Sequence, residues 1–166
     1  GAGGVRGFLR LVGQYEVEKA KVFDLHHDSA TALVAAALES SQRRPGAGAA
    51  APPPSAYTLH KINWLTRCKG SMGSLHSGPI MGCAIEPKET QVVLTCSLDK
   101  TARVSNIMSG NCVVSFTVPD PLWSCAWHPS DSNVFFCGAA QNSLYVFDVR
   151  QPAGPLKKLE GPFMQP

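Results

Sequence analysis

Pro79-Ile80-Met81-Gly82-Cys83-Ala84 and Pro121-Leu122-Trp123-Ser124-Cys125-Ala126 are two copies of one segment, 42 residues apart. The same offset pairs Pro87 with Pro129 and Val93-Leu94 with Phe135-Phe136. It also pairs Asp99 with Gln141, Thr101 with Ser143 and Val104 with Val146. A chain that recurs at this period builds the same small unit each time. Such a unit cannot bury its own apolar surface, so neighbours must stack.

Within each copy the pattern is of short strands. Gln91 to Ser97 reads as a largely buried strand, Ser97 to Thr101 as a turn, Thr101 to Ser105 as the next strand, and Cys112 to Phe116 as another. Asp99 suits its turn because its carboxylate can accept backbone N–H groups two residues on. The later copy supplies Asn133 to Gly138, a turn at Gln141-Asn142, and Ser143 to Asp148. A period of about 40–45 residues, with four strands to a unit, is that of WD-repeat propellers. The expected fold is therefore all-β, a WD40-type β-propeller. Residues 75–117 form a second blade and 118–151 a third, with 152–166 a linker or the start of the next. Propellers close with about 4–8 blades, so about three four-stranded blades are part of a larger closed ring.

A more degenerate first blade spans residues 8–74. Asp24 to Asp28 aligns with Ala126 to Ser130, and Lys61-Ile62 aligns with Arg103-Val104 at 42 residues. The two alignments differ by about 18 residues, which places an insertion between the second and third strands of this blade. The Ala/Gly/Pro tract at 40–55 fits, and its composition predicts a disordered loop. Arg43 and Arg44 open that tract as solvated charges or as a possible partner contact. The alanines between Ser29 and Glu39 also permit a helix capped by Asp28 or Ser29, but the repeat register favours a strand.

A formal net charge of +3, dispersed along the chain, gives no footprint for direct nucleic-acid binding. No run of 18 apolar residues exists, so no membrane-spanning helix is expected. The chain starts at Gly1 without a secretory layout, which suggests that it begins inside a longer protein. Cys68, Cys83, Cys96, Cys112, Cys125 and Cys137 form no C-x-x-C pair, and most lie in apolar strand-like runs. They read as reduced structural thiols of a nuclear or cytosolic protein rather than as metal ligands.

Cys96 to Val104 looks like the end of a WD repeat, and Trp123-Ser124-Cys125-Ala126-Trp127 and Val146 to Arg150 are more distinctive. With the preceding Pro119 and Pro121, these residues resemble the propeller of the RING-finger and WD-repeat ubiquitin ligases of the Fanconi anaemia pathway. The resemblance covers residues 75–151 well and 8–74 loosely. It implies a nuclear ligase whose upstream RING, a zinc module, recruits a ubiquitin-conjugating enzyme. The propeller would recognise protein targets, including replication protein A, during replication stress and interstrand crosslink repair. This chain has no RING cysteine and histidine spacing, so it is expected to need no cofactor, and no small molecule is implied. The competing reading is a non-enzymatic WD-repeat scaffold of an unrelated complex.

In WD repeats a histidine at the position of His76 joins a strand Ser or Thr, the turn Asp and the Trp of a Trp-Asp pair. Here Asp99 is present but Ser105-Asn106 replaces Trp-Asp, so the network is expected to be partial. Asp148 keeps the acidic partner in Phe147-Asp148. Trp123 and Trp127 share a face by strand parity with Cys125. They are expected to pack between blades, with Trp123 alternatively at the channel rim. No nucleophile–base pair or phosphate loop emerges, and the residues single out no catalytic group. Deleting residues 43–54 should change the unfolding free energy of the intact propeller by less than about 1 kcal/mol, since loop length costs little. Chemical denaturation of the deletion variant checks this.

Overall fold

The computed structural model describes residues 20–27, 32–39, 57–63, 68–89 and 91–161. Among them, strands and turns are present and no helix. The first four-stranded sheet consists of β1 (Ala20–His27), β2 (Ala32–Glu39), β3 (Tyr57–Asn63) and β4 (Cys68–Ser74). The second holds β5 (Ile80–Ile85), β6 (Val92–Ser97), β7 (Thr101–Asn106) and β8 (Cys112–Thr117). The third holds β9 (Leu122–Trp127), β10 (Val134–Ala139), β11 (Ser143–Asp148) and β12 (Lys157–Glu160). Strands follow sequence order and every neighbour is antiparallel. These sheets are blades of a WD40 propeller.

Alanine propensity does not prevail in residues 32–39. This segment pairs with β1 on one side and β3 on the other, and that ladder satisfies its backbone groups without a helix. The tract at 40–55, with Arg43 and Arg44, lies outside the described residues.

The end of the third blade requires a correction. Residues 157–160 are not a linker or a new blade but the fourth strand of the third sheet, pairing Val146 with Lys157 and Ser143 with Glu160. Lys-Lys-Leu-Glu shows no apolar alternation because all four residues of this outer strand are exposed. Charge is what an open sheet edge favours.

The second blade is covered on both faces. Toward the first blade, Ile80, Cys83, Ile85, Val93 and Ile107 meet Leu59, Met72 and Leu75. Toward the third, Leu94, Cys96, Ala102 and Val104 join an aromatic cluster. This is why β6 reads as a continuous apolar run: successive residues point to opposite faces, and both faces are interior. In the aromatic cluster Phe135 and Phe147 stack with centroids 4.8 Å apart, and Phe116 meets Phe135 edge-on at 5.4 Å. Trp127 packs on Phe135 at 5.6 Å and donates its Nε1–H to the Ala84 carbonyl of the second blade at 3.0 Å. Gly82 lets β5 and β9 approach, because a Cβ there would stand 2.9 Å from Cys96 Sγ and 3.1 Å from the Cys125 nitrogen. Phe135→Ala removes a fully buried ring shared by two blades and should cost about 3–5 kcal/mol, read as a lowered denaturation midpoint of the intact propeller.

Candidate recognition surface

Antiparallel order puts the β6–β7, β8–β9 and β10–β11 connections at one end of the sheets. The β5–β6, β7–β8, β9–β10 and β11–β12 connections lie at the other. At the first end, His76 is buried under the loop that enters β5. Its Nε2 lies 2.8 Å from Thr95 Oγ1, and its Nδ1 lies 3.0 Å from both Asp99 Oδ2 and Thr101 Oγ1. Asp99 also accepts the Ser77 N–H at 2.9 Å, the Thr101 N–H at 3.0 Å and the Thr101 hydroxyl at 2.6 Å. Burial opposes ionisation of Asp99, yet the bonds from His76, Thr101 and Ser77 outweigh it and hold the carboxyl well below its ordinary value. The network therefore ties the entering loop to the β6–β7 turn. Where a tryptophan would complete it, Ser105 is buried, and its Oγ has no hydrogen-bond partner among the described residues.

The third blade solves the same problem differently. At the repeat positions of His76, Thr95 and Asp99 it has Val118, Cys137 and Gln141. Tyr145 instead donates its hydroxyl proton to Asp120 Oδ2 at 2.5 Å, and Lys158 Nζ stands 3.3 Å from the same oxygen. The Tyr145 bond is the leading cause that lowers the Asp120 carboxyl. Asp148 does not join the His76 network. It lies at the far end of its own blade, accepting the Arg150 backbone N–H at 2.9 Å and pairing with the Arg150 guanidinium at 2.6 Å. Asn106, its repeat equivalent, caps the Met108 and Ser109 N–H groups at 2.9 Å.

The two tryptophans separate. Trp127 is buried, whereas Trp123 is 51% exposed. Strand parity breaks between them, because Gly138 pairs with Ser124 while Ala139 pairs with Leu122. Trp123 is the extra residue of a β-bulge, and Leu122 takes the interior place that parity assigns to Trp123. Met81 occupies the same bulge in the second blade, between Ile80 opposite Ser97 and Gly82 opposite Cys96. Since β5 and β9 pack on one another as the inner strands, Trp123 projects from the inner end of its blade. The interior packing expected for Trp123 is thus corrected.

Most of the described cysteine side chains act as small apolar groups, whereas Cys112 is exposed. Cys83, Cys96 and Cys137 are buried, and burial pushes the Cys137 thiol well above its ordinary value. The neighbouring Cys96 thiol, followed by burial, does the same for Cys125. Among the described residues no cluster of His, Cys, Asp and Glu could hold a metal ion.

Two turn caps at the second end were not evident from sequence. Glu86 accepts the N–H groups of Lys88 and Glu89. His128, 42 residues later, accepts those of Ser130 and Asp131 through Nδ1 at 3.2 and 3.0 Å. The shared signal was the Pro one residue on, Pro87 and Pro129, which places both groups at the mouth of the same turn. Asp99→Asn tests the first-end network. A depressed carboxyl stabilises the fold above its unfolded value of about 4 and stops doing so as pH falls toward the lowered folded value. The variant should lose about 1.5–3 kcal/mol at neutral pH and show a shallower decline below about pH 4, measured by denaturation at each pH.

A family model for the E3 ubiquitin-protein ligase RFWD3 WD40 domain matches residues 51–165. Relatives carrying the name E3 ubiquitin-protein ligase RFWD3 align at modest identity. The human protein is 28% identical over 85 residues, covering 51% of this chain and 11% of its own length. The giant panda protein (Ailuropoda melanoleuca) is 27% identical over 85 residues, with the same coverage. The mouse protein is 26% identical over 76 residues, covering 46% of this chain and 10% of its own. The matched part thus spans about a tenth of these curated relatives. With two complete four-stranded sheets and the last two strands of a third beneath that match, the chain belongs to the family of the E3 ubiquitin-protein ligase RFWD3 WD40 domain.

Proposed function

We propose that this WD-repeat region of an E3 ligase recognises protein partners and substrates for ubiquitination in the nuclear DNA-damage response, including interstrand crosslink repair. The ligation chemistry lies in a RING outside these residues. There zinc holds the fold that recruits a ubiquitin-conjugating enzyme, and the propeller brings a target lysine within reach. The recognition region itself needs no cofactor on this reading, which the packing of Cys83, Cys96 and Cys137 as buried apolar side chains supports. Its expected partners are proteins, with replication protein A the first to test, and neither nucleic acid, membrane nor small molecule is required.

The observation that supports this reading is Trp123. A bulge lifts a large aromatic ring out of the core at the inner end of β9, where it contributes little to packing. Exposed tryptophans are the commonest interface hot spots because they bury much area at little entropic cost. Trp123→Ala in the intact protein should leave the melting temperature unchanged while weakening binding to replication protein A by about 2 kcal/mol, roughly 30-fold. Titration beside thermal unfolding reads both quantities. Unaltered binding removes Trp123 from the interface. Binding of replication protein A without its ubiquitination by the intact protein favours the scaffold reading.

A further inference from the structure

The outer strands β4, β8 and β12 end their sheets and differ in how they guard that edge. β12 carries Lys157, Lys158 and Glu160, and β4 carries Gly70 and Gly73. Such charges and glycines discourage pairing with another strand. β8, Cys-Val-Val-Ser-Phe-Thr, has neither. It pairs regularly with β7 from Val104–Val114 to Thr101–Thr117. A bulge between Val114 and Cys112 turns Val113 outward, leaving it 69% exposed.

Beside this edge runs a groove of about 430 Å³ between the second and third blades. Val104, Val113 and Val114 line it from one side, and Trp127 and Val149 from the other. Beside the neutral Ser132 and Asn133, its charged lining is acidic. Glu86 and Glu89 both border it, and the Glu89 side chain is exposed with no ion pair among the described residues. The nearby cations are committed elsewhere: Lys88 Nζ donates to the Ser130 carbonyl at 2.7 Å, and Arg150 pairs with Asp148.

We infer that the β8 edge and this groove form a second docking surface, taking an extended segment of a protein partner as an added strand. An edge without charge supplies backbone pairing, and the valine- and tryptophan-lined groove accepts an apolar side chain. The unpaired Glu89 selects a basic residue beside it. The surface is independent of Trp123, which projects from the opposite, inner edge of its sheet. It holds whether or not the partner is a ubiquitination substrate.

The test uses a short fluorescent peptide of alternating valine and lysine, titrated into the intact protein. Saturable binding is expected, with slowed amide exchange within residues 112–117. Glutamate in place of the peptide's lysines, N-methylation of its alternate amides, and Glu89→Lys in the protein should each weaken binding at least roughly ten-fold. Glu89 is exposed, so its replacement leaves folding intact, and an unchanged melting temperature checks this. Equal binding of the N-methylated peptide would overturn strand addition, and equal binding of the acidic peptide would overturn the basic preference. No saturation below about 1 mM would overturn the site. So would exchange protection elsewhere, or concentration-dependent dimerisation through β8 that the peptide does not relieve.

Discussion

The stacking of Phe135 against Phe147, with Phe116 and Trp127 closing around them, is the contact on which the second and third blades depend. These rings come from four strands of two sheets. Neither sheet buries them alone, because each is a single layer with two faces. The same cluster sets the distance between β5 and β9, which is short enough to require glycine at position 82. Removing water from this seam supplies most of the driving force, and the hydrogen bonds across it decide the register. Trp127 serves both purposes through its ring and its bond to the Ala84 carbonyl.

Around that seam the second and third blades hold their entering loops by different chemistry, from different repeat positions. The second uses a buried imidazole and a depressed carboxyl, and the third uses a tyrosine hydroxyl on Asp120. At the other end Glu86 and His128 cap the same turn with a carboxylate and a ring nitrogen. What is repeated is the requirement for an acceptor at that point in space. The degenerate WD signature is therefore compatible with a regular structure, since several side chains meet one geometric demand. The absence of tryptophan at position 105 has a local cost, since the buried Ser105 hydroxyl is left without a hydrogen-bond partner among the described residues.

The lifted Trp123 and the uncharged β8 edge depart from the most stable choice available at each place. An inward tryptophan would add to the core, and a lysine on β8 would protect the edge. Such local exceptions mark surfaces kept for another molecule more often than they mark poor packing.

Much of the architecture was legible in the chain itself. The 42-residue recurrence, the apolar run of β6 and the turn residues near Asp99 carried strand order and blade identity, because alternation and turn chemistry are local properties. Even the alanine-rich second strand followed once its register was compared with later copies. The direction in which particular side chains point was decided only by tertiary structure. Trp123 turns out because a bulge in the β9–β10 pairing shifts the phase by one residue, and no local pattern records that shift. Lys157 to Glu160 become a strand because Ser143 to Val146 offer an unpaired ladder, although their own sequence carries no β signal. His76 meets Asp99 across 23 residues of chain because the β5–β6 pairing brings the start of one strand beside the end of the other. Sequence determines which segments can form strands, whereas contacts between distant strands determine which face each side chain occupies.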